Sequence, residues 1–201
     1  MPPALLSLRS LHFSHPGGVV FAGLTAELPA GVGLVCGDEG RGKSSLLRLL
    51  AGELSPSAGH ILLSGQPLST QDVAWFDPLE PRHDAQPVCD LLHDLARGPV
   101  PPAMLAGLGL VPHLDKPLFQ LSTGSRRKVF LAAALARPAR LTLLDQPFMA
   151  LDRPSVNFLC ECFQAWVGAS DRLLLLADYQ PPEGVPLAGT LDLDRALDRG
   201  R

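Results

Sequence analysis

The 201 residues carry 17 basic and 20 acidic side chains for a net charge of −3, and 46% are hydrophobic, as suits one soluble domain with at most a small insert. The arginines are scattered and form no basic stripe able to neutralise a run of phosphates, which excludes nucleic acid as the principal partner. The longest apolar runs, such as "LLLLA" at 173–177, fall far short of the ~20 residues that span a bilayer, and "MPPALLSLRS" lacks the basic start of a secretory leader.

Residues 5–30 alternate roughly between apolar and polar and are broken by "HPGG", which predicts short antiparallel strands. "VGLVCG" (32–37) reads as a compact strand, and "KSSLLRLLAG" (43–52) as a helix stopped by Gly52, so a glycine loop joins strand to helix. "HILLSG" and "DVAWFD" follow as strand-like runs. Residues 78–120 change character: proline and histidine are frequent, and "VCDLLHDLA" and "PAMLAGLGLV" predict two short helices of an insert. The α/β rhythm returns with a helix over about 123–136, the strand "LTLLD", a helix over "RPSVNFLCECFQAWV", the strand "RLLLLAD" and a short strand near "GTLDLD". Repeated strand–helix–strand units with apolar strands imply a parallel sheet covered on both faces. No internal repeat or low-complexity tract interrupts this order. Cys36, Cys89, Cys160 and Cys162 show no metal-ligand spacing and read as small buried thiols of a reducing compartment.

Only 3 of the basic residues are lysines, and one of these, Lys43, stands in "GDEGRGKSSLL" (37–47). Gly37, Asp38, Glu39, Gly40, Arg41, Gly42, Lys43 and Ser44 fit G-x-x-x-x-G-K-[ST] between a predicted strand and a predicted helix, with Ser45 next. Glycines let backbone N–H groups curl around a polyphosphate, the helix start adds its positive end, Lys43 supplies a slim point charge, and Ser44 offers Mg²⁺ a hydroxyl. The ion needs an oxygen ligand opposite that serine, and Asp145 at the end of "LTLLD" is the candidate. Alone, an Asp at a strand end reads equally as a turn residue.

Together, "GDEGRGKSS", "LSTGSRRKV" and "LTLLDQPFMALD" resemble, in order and spacing, the Walker A, signature and Walker B plus D-loop motifs of the ATP-binding cassette (ABC) ATPases. The resemblance spans about residues 5–195. Compact size and "LDQPFMALD" are also loosely similar to the small haem-exporter ATPases of cytochrome c maturation. The resemblance implies a P-loop NTPase fold with a RecA-like core and mostly parallel sheet, an antiparallel β subdomain and a helical insert. Residues 1–201 then form one domain, with 77–122 as the insert. It further implies Mg-ATP lying between the Walker A of one subunit and Ser122, Thr123, Gly124 and Ser125 of another, in a homodimer or a heterodimer with a second ABC ATPase subunit. A separate integral membrane permease would dock the pair, placing the chain in the cytoplasm at the inner face of the membrane. His15 in "FSHPGG" falls where the family stacks an aromatic on adenine; a surface turn reads as well. A helix cap by Ser122 or Thr123 is compatible with the signature role.

The pattern breaks at three positions that bear on hydrolysis, and Thr123 and Ser125 also replace the signature's usual Gly and Gln. Gln146 follows Asp145 where the family has the Glu that orients or deprotonates water; an amide keeps the shape but cannot take the proton. Asp178 stands where the switch histidine is expected and would repel the terminal phosphate. Asp77 stands near the family's metal-sensing Gln and remains able to ligate Mg²⁺. Several departures together fit natural drift better than one engineered change. The leading expectation is the ATPase subunit of a transporter with weakened turnover; the alternative is a hydrolysis-poor regulatory or structural subunit.

Overall fold

The computed structural model describes residues 4–77 and 83–198. Its first two strands, β1 (Ala4–His15) and β2 (Gly18–Pro29), form one antiparallel hairpin, each 12 residues long rather than the short strands expected. Alternation explains the length: Leu6, Leu8, Leu11 and Phe13 of β1 and Phe21, Leu24 and Leu28 of β2 are all buried, so neither strand can end early without exposing apolar surface. β4 (Ala58–Leu63) and β5 (Gln66–Pro67) complete a sheet of order β2-β1-β4-β5.

The second sheet has the order β6-β7-β8-β3-β9, from β3 (Gly31–Cys36), β6 (Val73–Ala74), β7 (Leu141–Asp145), β8 (Leu173–Ala177) and β9 (Gly189–Asp192), and its pairings are all parallel. The run "DVAWFD" yields only the two-residue β6, because the chain leaves the sheet at Trp75, whose indole N–H donates to Glu53 Oε1 at 2.7 Å. Side chains alternate between two apolar layers. Leu141, Leu143, Leu173, Leu175 and Val35 face α1 (Lys43–Leu50) and the antiparallel sheet. Leu144, Leu174, Leu176, Val32 and Leu34 face α4 (Thr123–Ala136), α5 (Arg153–Gln164) and α2 (Val88–Ala96). This two-sided cover is why "LLLLA" is apolar at every position.

α2 and α3 (Pro102–Gly107) are the two helices expected in the insert, whose segment 78–82 lies outside the described residues. The chain adds one helix that its sequence pattern did not announce, α6 (Leu193–Asp198), anchored by the fully buried Leu193. The cysteine expectation is corrected: all four are free, but Cys89 is exposed, and Cys36, Cys160 and Cys162 are only half-buried, packed against the outside of the second apolar layer.

Candidate nucleotide site

The glycine loop runs from the C-terminal end of β3, between β8 and β9 in the parallel sheet, to the start of α1, the place where open α/β sheets bind ligands. Gly42 precedes the helix with φ 92°, and a Cβ there would lie 2.5 Å from Val20 Cγ1 and 2.9 Å from Phe21 Cζ, so only glycine fits against the β2 hairpin. α1 has no side-chain cap, whereas Ser122 caps α4 and Asp152 caps α5. Its first N–H groups are therefore left for an anion.

Lys43 is 6% exposed, and its Nζ donates to the carbonyls of Gly37 at 2.6 Å and Asp38 at 2.9 Å. The ring of Tyr179 covers the same ammonium with its centroid 4.1 Å away. Glu39 and Gly40 form the exposed tip of the loop. The loop base is tied to α6: Asp194 accepts from the Asp38 N–H at 3.0 Å and pairs with Arg41 at 2.5 Å. Ser45 Oγ lies 3.0 Å from His15 Nε2, which brings the candidate base-stacking side chain beside the start of α1. Phe13 meets the His15 ring edge-on at 4.8 Å.

Asp145 ends β7 next to Ala177 of β8. Burial pushes its carboxyl pKa up, opposed by a hydrogen bond from Ser44 and by the charges of Arg127 and Lys43. Its buried Oδ1 has no hydrogen-bond partner among the described residues. Gln146 follows with φ 45°, a left-handed backbone that its N–H, donating to Ala177 O at 2.8 Å, helps to hold. Arg127, from α4, clamps the same turn by donating to the carbonyls of Asp145 at 2.9 Å and Gln146 at 3.1 Å. Burial lowers the Arg127 pKa, while the carboxylates of Asp145, Asp77 and Asp178 pull it back up. Asp77 pairs with Arg48 of α1 at 3.4 Å. Ser44, Asp77, Asp145, Gln146, Arg127 and Thr123 all line one cavity of about 470 Å³.

Ser122, Gly124 and Ser125 form the first turn of α4. Ser122 Oγ accepts from the Ser125 N–H at 3.1 Å and donates to Ser125 Oγ at 3.0 Å. A Cβ on Gly124 would lie 2.5 Å from Ala150 O, so this turn is seated directly on the segment after Gln146. Asp178 accepts from the Tyr179 N–H at 2.8 Å and lines a neighbouring cavity of about 530 Å³ with Phe148 and Arg153. The residue of that segment that reaches Lys43 is Tyr179. Sequence reasoning passed over Tyr179, Arg127 and Asp194. An aromatic just after a buried strand was the available signal for Tyr179, and no local pattern marked the other two.

A strand–glycine loop–helix cradle around a buried lysine, with a strand-end carboxylate facing the helix-start hydroxyl, defines a P-loop nucleotide-binding protein. The ABC transporter family profile matches residues 24–149. Relatives include the cytochrome c biogenesis ATP-binding export protein CcmA of Pseudomonas savastanoi pv. phaseolicola, 36% identical over 77% of this chain and 78% of that protein. CcmA 2 of Salmonella paratyphi A is 32% identical over 96% of each. A solved putative ABC transporter ATP-binding protein from Pyrococcus furiosus superposes with TM-score 0.75 at 22% identity, covering 94% of this chain and 98% of that one. The chain belongs to the ABC transporter family, as an ATP-binding subunit of a transporter and an ATP-hydrolysing enzyme.

Proposed function

We propose that this chain powers a membrane permease by holding Mg-ATP between its own loop 37–45 and the first turn of α4 of a second ATPase subunit. The observation that carries the reading is the convergence of Lys43, Ser44 and Asp145, with one buried carboxylate oxygen of Asp145 left without a partner among the described residues. That oxygen and the uncapped α1 N-terminus fit a magnesium–polyphosphate group. When bound, the ion supplies charge neutralisation between the terminal phosphates. Ser44, Asp145 and Asp77 would hold it. Lys43 balances phosphate charge, and Arg127 keeps the Gln146 turn in place. The Gln146 amide orients water by hydrogen bonding but accepts no proton, so turnover is slow relative to binding.

Residues 1–201 act as one ATP-binding domain, with 77–122 as its helical insert. No helix among the described residues is long and apolar enough to cross a membrane. In the proposed arrangement a permease chain provides the span and this subunit works at the cytoplasmic face. The CcmA relatives, ATP-binding export proteins of cytochrome c biogenesis, support an export step of that process as the coupled transport. Nothing in the comparisons favours a regulatory or structural subunit instead.

Calorimetric titration with Mg-ATP and a phosphate-release assay test the reading. Lys43→Ala should abolish binding, and Gln146→Glu should raise turnover by about 10²-fold. Unchanged affinity in Lys43→Ala would overturn the assignment of the site.

A further inference from the structure

Lys43 is the cation the loop offers to phosphate, yet its ammonium is already engaged on every side. Two of its three donors are directed to the Gly37 and Asp38 carbonyls, at 2.6 Å and 2.9 Å, and the ring face of Tyr179 closes the remaining approach at 4.1 Å. Tyr179 itself is 52% exposed, so it is not packed into either apolar layer, and its ring rests on Lys43 rather than on a core. The segment that carries it, 178–182, contributes Asp178, Gln180, Pro181 and Pro182 to the cavity beside α5.

We propose that Tyr179 is a displaceable aromatic cap on Lys43. The ring lies on the ammonium when no phosphate is present and leaves when a terminal phosphate takes the third donor. This rests on the ATP-binding reading above. A cation–π contact at a half-exposed position is weaker than a charge-assisted hydrogen bond from ammonium to phosphate, so the exchange favours the phosphate. Because 178–182 lines the second cavity, leaving Lys43 also reshapes the surface between Phe148 and Arg153. Phosphate occupancy is thereby reported to a face of the molecule outside the nucleotide cavity.

Tyr179 is the only tyrosine in the chain, so ring carbon-13 labelling of tyrosine reads this side chain alone. The ring signal should shift when ATP is added and stay in place with adenosine, which brings no phosphate. Calorimetry should give Tyr179→Ala about threefold tighter ATP binding than the parent, with Tyr179→Phe, which keeps the ring face, matching the parent. An unmoved ring signal during ATP binding that Lys43→Ala abolishes would overturn the cap while leaving the nucleotide site intact. Equal or weaker ATP binding by Tyr179→Ala would do the same. A parent chain that binds no ATP would overturn both the cap and the reading beneath it.

Discussion

Asp145 carries the clearest conflict between stability and function. A carboxylate pushed into the interior with its pKa raised and Oδ1 unpartnered is a cost to the folded chain, typically about 1–3 kcal/mol for a buried unsatisfied group. Asp145→Asn removes the charge at nearly constant shape. Without nucleotide it should melt about 2–4 °C higher by calorimetry, and it should lose the extra stabilisation that Mg²⁺ adds to ATP. A lower melting point would show that the carboxylate is structurally satisfied. Lys43, Ser44 and Asp145 were legible in the sequence because glycine spacing and a strand-end acid are local patterns. Arg127 was not, since it works through two backbone carbonyls of β7 and the turn after it, and carbonyls leave no mark in a sequence. Tyr179 was not legible either, because which residue of the segment after β8 turns toward Lys43 depends on the fold.

At the scale of elements, the side-chain caps separate α4 and α5 from α1. Asp152 accepts from the Ser155 N–H at 2.9 Å and is ion-paired with Lys128, so α5 is closed to anions at its start and locked to α4. The Lys128 hydrogen bond, more than the cap, holds the Asp152 pKa well below the usual carboxylate range. A depressed carboxylate stabilises the fold above its unfolded pKa, about 3.9, and loses that contribution as pH falls through the folded value. Asp152→Ala should therefore cost about 1 kcal/mol in urea unfolding at pH 7, and the gap to the parent should narrow below about pH 4. A constant gap across pH would assign the loss to something other than the charge. The bounds of α4 matched the expectation because Ser122 and the proline after Arg137 punctuate it. α6 went unseen because six residues carry too little periodicity.

For the whole molecule, the proposed function makes the exposed first turn of α4 and the glycine loop two halves of an ATP site. The assembly is therefore expected to follow nucleotide: light scattering should show one copy without ATP and two with it. Ser125→Glu tests the contact without harming the helix. It sets a glutamate at the third helical position after the Ser122 cap, a capping box that favours α4, while placing an anion where phosphate of the other copy must sit. The variant should stay folded and remain single with ATP, and ATP-dependent pairing of Ser125→Glu would sink the arrangement.

The link from Asp194 to the glycine loop has a consequence for affinity. The carboxylate holds Arg41 and, from 156 residues further along the chain, the Asp38 N–H, which means that the loop is fully assembled only once β9 and α6 have docked. The entropy of ordering the cradle is then lost during folding and not again at each binding event. Such preorganisation leaves more of the contact energy to appear as affinity, and it makes α6 a determinant of a site formed beside α1.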